Sequence, residues 1–160
     1  ALPSGIPENI DFRERSLTVT LNQLLGKRWS VGASYRLTDA DLNDHLQGLT
    51  PALTSQMNRD WDATLQQVRL VGTFNHPCGF FASAGAVWSQ QSNRGYSPDI
   101  PGDDFWQFNA FVGYRFLQRH VDVRVGLLNI GDTDYRLNPL TLYSELPRER
   151  TFAARLQFYF

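Results

Sequence analysis

The last ten residues of the chain, Thr151-Phe152-Ala153-Ala154-Arg155-Leu156-Gln157-Phe158-Tyr159-Phe160, indicate its fold class. Every second residue from Phe152 to Phe160 is apolar, whereas the residues between them include an arginine and a glutamine. Successive side chains of a β-strand point to opposite faces of a sheet, so this alternation predicts a strand with one apolar and one polar face.

Six earlier segments alternate in the same way. In the clearest of them, Trp106, Phe108 and Val112 oppose Gln107 and Asn109. The predicted strands lie near residues 16–25, 29–39, 62–75, 79–90, 105–117, 120–131 and 150–160. Seven strands joined by turns in chain order predict an all-β fold with an antiparallel, up-and-down sheet. A soluble sandwich or a small soluble barrel also alternates, so alternation alone does not separate these classes.

The polar rows carry arginine in the middle of five strands: Arg36, Arg69, Arg115, Arg124 and Arg155. An arginine that faced lipid at the membrane midplane would cost about 2–4 kcal/mol, so we expect these side chains to face a wet barrel interior. There they are candidates to bind anionic solutes. A ladder of salt bridges to Asp62, Asp122 or acidic loop residues is the alternative, and we rank it above solute binding.

The apolar rows begin or end with aromatic residues: Trp29, Trp88, Trp106, Phe116 and Phe160. Aromatic girdles flank the apolar band of membrane barrels. The predicted strands are about 9–13 residues long, which is near the length of a tilted transmembrane strand and above the roughly 5–6 residues of a mean soluble strand. With 15 basic and 16 acidic residues, the charge balance gives no strong field that would attract nucleic acid. These features favour a transmembrane β-barrel.

Connection lengths alternate along the chain. The turns near residues 26–28, 76–79 and 118–120 are short, whereas the connections near 40–61, 91–104 and 133–149 are long and polar. Outer-membrane barrels alternate short periplasmic turns with longer extracellular loops. The pattern therefore predicts a multi-pass outer-membrane topology with Phe160 at the periplasmic side and an extracellular loop over residues 1–15.

Seven strands that start outside do not satisfy the even strand number of bacterial single-chain barrels. Unpaired edge groups in lipid also cost several kcal/mol each, so the sheet must close. We therefore expect residues 1–160 to be the C-terminal part of a larger barrel whose remaining strands precede them.

Two segments around the final loop carry a more specific pattern. Leu128-Asn129-Ile130-Gly131-Asp132-Thr133-Asp134-Tyr135 resembles the N-L-F-D-x-x-Y segment of TonB-dependent receptors. Pro147-Arg148-Glu149-Arg150-Thr151-Phe152 is similar to the P-G-R-x-F segment at which their last strand begins. The terminal residues resemble the signal by which the barrel assembly machinery recognises its substrates: Phe152, Leu156, Phe158 and Phe160.

The resemblance implies an importer of a scarce nutrient, of the siderophore, vitamin or glycan class, in the outer membrane of a Gram-negative bacterium. The partners it implies are outer-membrane lipid, the assembly machinery, the remaining barrel strands, an N-terminal plug and, through that plug, TonB. Carboxylates of such a plug are further candidate contacts of the five polar-row arginines. A passive porin or the barrel of an export system is the first alternative. A small outer-membrane enzyme and a soluble barrel-type binding protein are further alternatives.

Few residues suit catalysis or metal binding. His45 lies near Asp41 and Asp44 in a long connection, but without calcium-loop spacing, and a solvated acidic loop is the simpler interpretation. His76 and His120 belong to turns far from His45, so no Ser–His–acid set assembles readily. We therefore expect no enzyme activity, no metal site and no cofactor.

Overall fold

The computed structural model describes residues 8–46, 58–116 and 120–159 of the chain. Within these ranges the regular structure is seven strands: β1 (Glu8–Leu25), β2 (Trp29–Leu46), β3 (Arg59–Asn75), β4 (Phe80–Arg94), β5 (Asp104–Phe116), β6 (Val121–Leu128) and β7 (Thr151–Phe158). They form one sheet in the order β1-β2-β3-β4-β5-β6-β7, and each neighbouring pair is antiparallel. The predicted all-β, up-and-down fold is confirmed.

The sheet is open in the part of the chain that the structure describes. β1 and β7 are its two edges and do not pair with each other. Within residues 8–46, 58–116 and 120–159, no helix has the length and apolar character that a membrane-spanning helix needs.

The first two strands extend further than the alternation predicted. β1 begins at Glu8 and β2 continues to Leu46, and these two residues are register partners. Residues 8–15 are thus strand rather than the predicted loop, whereas residues 1–7 lie outside the described residues. The backbone explains the difference, because a ladder satisfies peptide N–H and C=O groups whichever side chains they carry. Polar residues such as Asp11 and Arg13 therefore prolong the hairpin beyond its apolar part.

The register sorts the side chains onto two chemically different faces. Directly opposed residues of antiparallel strands share a face, as Tyr35 and Val68 do, and Trp88 and Trp106. One face, called here the apolar face, has no charged residue over a band that crosses all seven described strands. Its central members are Leu17, Val19, Leu21, Val31, Ala33, Val68, Leu70, Ala84, Ala86, Phe108, Ala110, Val112, Val123, Val125, Ala154 and Leu156.

Aromatic pairs mark both margins of this band. At the margin near the short turns, the ring centroids of Trp29 and Phe74 lie 4.8 Å apart. At the other margin, the centroids of Trp88 and Trp106 lie 6.4 Å apart, and Trp88 Nε1 donates to Asp104 Oδ1 at 2.6 Å. The indole N–H groups and the first charged side chains thus appear together where the apolar band ends.

No second layer of the described chain packs on the apolar face. Leu21 and Phe152, from the two outermost strands, are 68% and 69% exposed. A soluble monomer rarely exposes a continuous apolar surface of such extent. The buried core is small and lies on the opposite side of the sheet, where Leu65 and Phe105 contact residues of the β6–β7 connection.

The space around two glycines shows how closely each face is packed. A Cβ atom at Gly113, on the polar side, would contact the Phe81 ring and approach the Val123 carbonyl oxygen at 2.6 Å, whereas a Cβ at Gly72, on the apolar face, meets nothing within 4 Å. We expect Gly113→Ala to lower the free energy of unfolding by about 1–3 kcal/mol. The matched control, Gly72→Ala, should cause no loss. Urea unfolding of the refolded chain measures both, and equal losses would contradict the packing described.

Candidate functional site

The face opposite the apolar face, called here the polar face, carries hydroxyl, amide and charged side chains along the same length of strand. Its members include Thr18, Ser34, Arg36, Gln67, Arg69, Ser83, Asn109, Arg115, Asp122, Arg124, Arg155 and Gln157. Because the charged and hydrogen-bonding side chains of the mid-strand region lie on the polar face, a functional site is to be sought there.

The connection between β6 and β7, residues 129–150 and called here the inner loop, folds back over the polar face. Tyr135 and Leu137 from this loop pack against Leu65 and Phe105 from the sheet, and the rings of Phe105 and Tyr135 stack with centroids 5.0 Å apart. The loop therefore does not simply project from the strand ends. It covers part of the surface that the strands leave open.

Two buried glutamines on the polar face hold the inner loop by its backbone. Gln91 Nε2 donates to the Asn138 carbonyl at 3.1 Å, and Gln91 Oε1 accepts from the Asn138 N–H. Gln107 Nε2 donates to the carbonyls of Thr133 and Pro147, at 3.1 and 2.8 Å. A buried backbone group without a partner is costly. The two side-chain amides therefore act as substitutes for a neighbouring strand.

The base of the loop is closed by its own turn residues. Asn129, which is fully buried and has a φ of 49°, ends β6, and its Nδ2 donates to the carbonyls of Thr133 and Pro147 at 2.9 and 3.1 Å. Asp132, with a φ of 54°, accepts a 2.7 Å hydrogen bond from the N–H of Arg150. Asp132 therefore ties the two ends of the loop through the backbone of Arg150.

Tyr135, the last residue of the segment 128–135, is buried at the centre of the inner loop. Its hydroxyl donates to the Leu146 carbonyl at 2.9 Å, and the Arg148 guanidinium lies 5.1 Å from its ring centroid. Nearby, burial raises the pKa of Tyr143 above its ordinary value, and the charge interaction with Tyr135 adds to the rise. The segments that carry the resemblance therefore build the base and the centre of the inner loop.

All five arginines that the sequence singled out lie on the polar face. Two of them have acidic neighbours: Arg115 Nε lies 3.3 Å from Asp122 Oδ2, and an Nη atom of Arg36 lies 4.0 Å from Glu14 Oε1. Asp122 was one of the acids considered as a partner in the sequence. Asp62, the other, lies on the opposite side of the sheet and cannot serve the polar face.

The remaining three arginines, Arg69, Arg124 and Arg155, form no salt bridge within the described residues. Arg124 and Arg155 are direct register partners, and the Arg124 guanidinium lies 5.5 Å from the Phe111 ring centroid. Like charges placed directly opposite one another repel. The middle of the polar face therefore carries an excess of positive charge.

A polar cavity of about 230 Å³ lies between the inner loop and strands β1 to β4. The sheet contributes two guanidinium groups to its lining, and the loop contributes one hydroxyl. The polar lining residues are Thr18, Ser34, Arg36, Gln67, Arg69 and Ser144. In this cavity two charged polar-face residues and the inner loop meet around open space.

The histidine and acids considered for catalysis or metal binding are not brought together. His45 and Asp44 are neighbours in β2 and so point to opposite faces. His45 Nε2 lies 3.3 Å from Asp60 Oδ1, whereas Asp44 Oδ2 lies 3.9 Å from an Nη atom of Arg59. No group of three or more His, Cys, Asp or Glu side chains suited to a metal occurs in the part of the chain described.

Three of the four residues assigned to the assembly signal, Phe152, Leu156 and Phe158, lie exposed on the apolar face of β7. Phe160 lies outside the described residues. Sequence reasoning did not identify Gln91 or Gln107. Gln107 occupies a predicted polar row, whereas residue 91 was predicted to begin a connection, and the structure instead continues β4 to Arg94. Alternation also carries no sign that Gln91 binds a residue 47 positions away.

No protein-family profile matches the chain, and neither curated proteins nor solved structures provide a match.

The role of Gln91 can be tested through the exposure of the inner loop to protease. Gln91→Ala leaves two backbone groups of Asn138 without their partner, which costs about 1–3 kcal/mol. We expect trypsin to cleave after Arg136, within the loop, about tenfold faster. Gln90→Ala is the matched control, because Gln90 is exposed on the other face. Mass spectrometry measures the rate of cleavage. The same rate in both variants would show that Gln91 does not hold the loop.

Proposed function

We propose that the chain forms part of the wall of a transmembrane β-barrel in a bacterial outer membrane, and that this barrel imports a scarce nutrient. The observation that carries the proposal is the uncharged apolar face, which crosses seven strands between two aromatic margins and opposes a polar face. In a membrane barrel the first face meets lipid and the second lines the lumen.

The height of the apolar band agrees with this proposal. On β5 the band runs from Trp106 to Phe116. Ten residue steps of about 3.4 Å, tilted by about 40°, rise about 26 Å. The apolar band of outer-membrane barrels is about 25 Å tall. The strands are therefore long enough to cross a bilayer, and the polar ends of β1 and β2 extend beyond it.

The two open edges support a larger assembly. Unpaired N–H and C=O groups of β1 and β7 would be costly in lipid, where no water satisfies them. We propose that further strands of the same protein pair with these edges and close the barrel. A plug inside that barrel, contacted by TonB, and the assembly machinery that recognises β7 complete the proposed partners.

Import is favoured by the inner loop together with the family resemblance. The segment 128–135, which resembles a segment of TonB-dependent receptors, ties the loop across the polar face through Asn129 and Tyr135. A siderophore, vitamin or glycan would pass this loop. The same loop also suits a passive porin, because a fixed segment across the lumen would narrow a pore, and this is the second candidate function.

Uptake measurements distinguish the two candidates. Cells that express the protein should take up a ferric siderophore, cobalamin or a malto-oligosaccharide only when TonB is present, because the importer depends on energy relayed from the inner membrane. Uptake that is unchanged without TonB would favour the porin and contradict active import.

Membrane insertion can be tested with one pair of neighbouring residues. Ala84 lies in the centre of the apolar face, and Ser83 lies on the polar face beside it. We expect Ala84→Arg to destabilise the membrane-inserted state by about 2–4 kcal/mol, since an arginine would face lipid at the midplane. Ser83→Arg, the matched control, should insert normally. Flotation with liposomes measures the inserted fraction, and equal insertion of both variants would refute the assignment of the faces.

A further inference from the structure

We propose that the cavity under the inner loop is a binding site for an anionic solute group, a carboxylate or a phosphate, held between Arg36 and Arg69. This inference deepens the proposed function, since only a lumen-facing site would lie on the transport path. The two guanidinium groups line the same cavity of about 230 Å³. A water molecule occupies about 30 Å³ of the liquid, so the cavity has room for a small oxyanion.

The register brings the two arginines together. Arg36 lies opposite Gln67, and Arg69 lies opposite Ser34, so the arginines are diagonal neighbours on adjacent strands. Diagonal partners in an antiparallel pair are about 7–8 Å apart, within the reach of long side chains. Both guanidinium groups can therefore approach one bound anion from adjacent positions.

The charge of Arg69 has no acidic partner in the described sheet, and that of Arg36 has only one distant partner. Arg69 forms no salt bridge within the described residues, and the contact of Arg36 with Glu14 is long, at 4.0 Å. The Arg36 Nε atom donates to Thr38 Oγ1 at 3.2 Å, which orients the guanidinium group. Guanidinium groups present paired N–H donors that match the oxygens of carboxylate and phosphate.

Neutral donors surround the same space. Thr18 and Ser34 contribute hydroxyl groups from the sheet, and Ser144 contributes one from the inner loop. The Gln67 amide, which also lines the cavity, is held in place by donating to Ser89 Oγ at 3.1 Å. An oxyanion in the cavity would therefore meet donors from both the sheet and the loop that covers it.

The other polar-face arginines do not form an equivalent site. Arg115 pairs with Asp122 at 3.3 Å, and its guanidinium group lies 4.4 Å from the Phe81 ring centroid. Arg124 lies over the Phe111 ring, and neither Arg124 nor Arg155 lines this cavity. The combination of two guanidinium groups, hydroxyl donors and a covering loop singles out Arg36 and Arg69.

The site can be tested by placing a carboxylate over it from the loop, which leaves the sheet unchanged. The refolded full chain in a non-ionic detergent is titrated calorimetrically with inorganic phosphate and, separately, with citrate. We expect Ser144→Glu to weaken binding at least about tenfold, because the new carboxylate competes for both guanidinium groups. Leu142→Glu is the matched control. It adds the same charge to an exposed position of the same loop that does not line the cavity, and it should bind as the unmodified chain does.

Two further variants make the test decisive. Arg69→Gln should weaken binding about as much as Ser144→Glu, and Arg69→Lys should restore part of it, because lysine keeps the charge without the fork of donors. Binding of phosphate identifies a phosphate-bearing solute, and binding of citrate alone identifies a carboxylate. Absence of binding to the folded chain, or equal weakening by Leu142→Glu, would overturn the proposal.

Separate measurements test the anion site and the membrane function, so either proposal can be refuted without the other. Quenching of Trp88 and Trp106 by brominated phospholipid reports whether the apolar face meets lipid, and it does not depend on anion binding. Quenching without anion binding would overturn the site and leave the barrel. Anion binding without quenching would support the site and refute the membrane wall.

Discussion

The structure depends on an unbroken antiparallel register across seven strands. A slip of one residue in any strand would move its whole apolar row to the other face. The apolar rows from Leu17 in β1 to Leu156 in β7 remain aligned, so an apolar and a polar surface form on opposite sides of a single layer. A single layer can be stable only if something apolar covers its apolar face, and in the proposed barrel a bilayer would supply that cover without a second layer of protein.

The inner loop packs on the polar face in the way that a second sheet packs on the first in a soluble protein. Gln91 and Gln107 supply the hydrogen bonds of a missing strand, and the stacked rings of Phe105 and Tyr135 supply the apolar contact. Both kinds of contact are buried, so the loop has few alternative positions of comparable energy. A loop held so closely over the polar face would define the width of a lumen more firmly than a solvated loop could.

Charge on the polar face follows from the same geometry. Of the five mid-strand arginines, Arg36 lies near Glu14 and Arg115 lies near Asp122, whereas Arg69, Arg124 and Arg155 have no acidic partner within the described residues. Placed on the lipid side, those arginines would oppose insertion. On the proposed lumen wall they would create a field that attracts anions, and such a field raises the rate of capture of a charged solute. Anion selectivity is therefore the property expected of the proposed wall.

The amino-acid sequence by itself determined the seven strands, their chain-order pairing and the face on which each arginine lies, because a period of two residues is a local property that neighbouring side chains disclose. It did not determine that β1 begins at Glu8 or that Gln91 holds Asn138. Only the tertiary structure decided these points. They depend on backbone pairing and on contacts between residues far apart in the chain, for which the alternation of side chains carries no information.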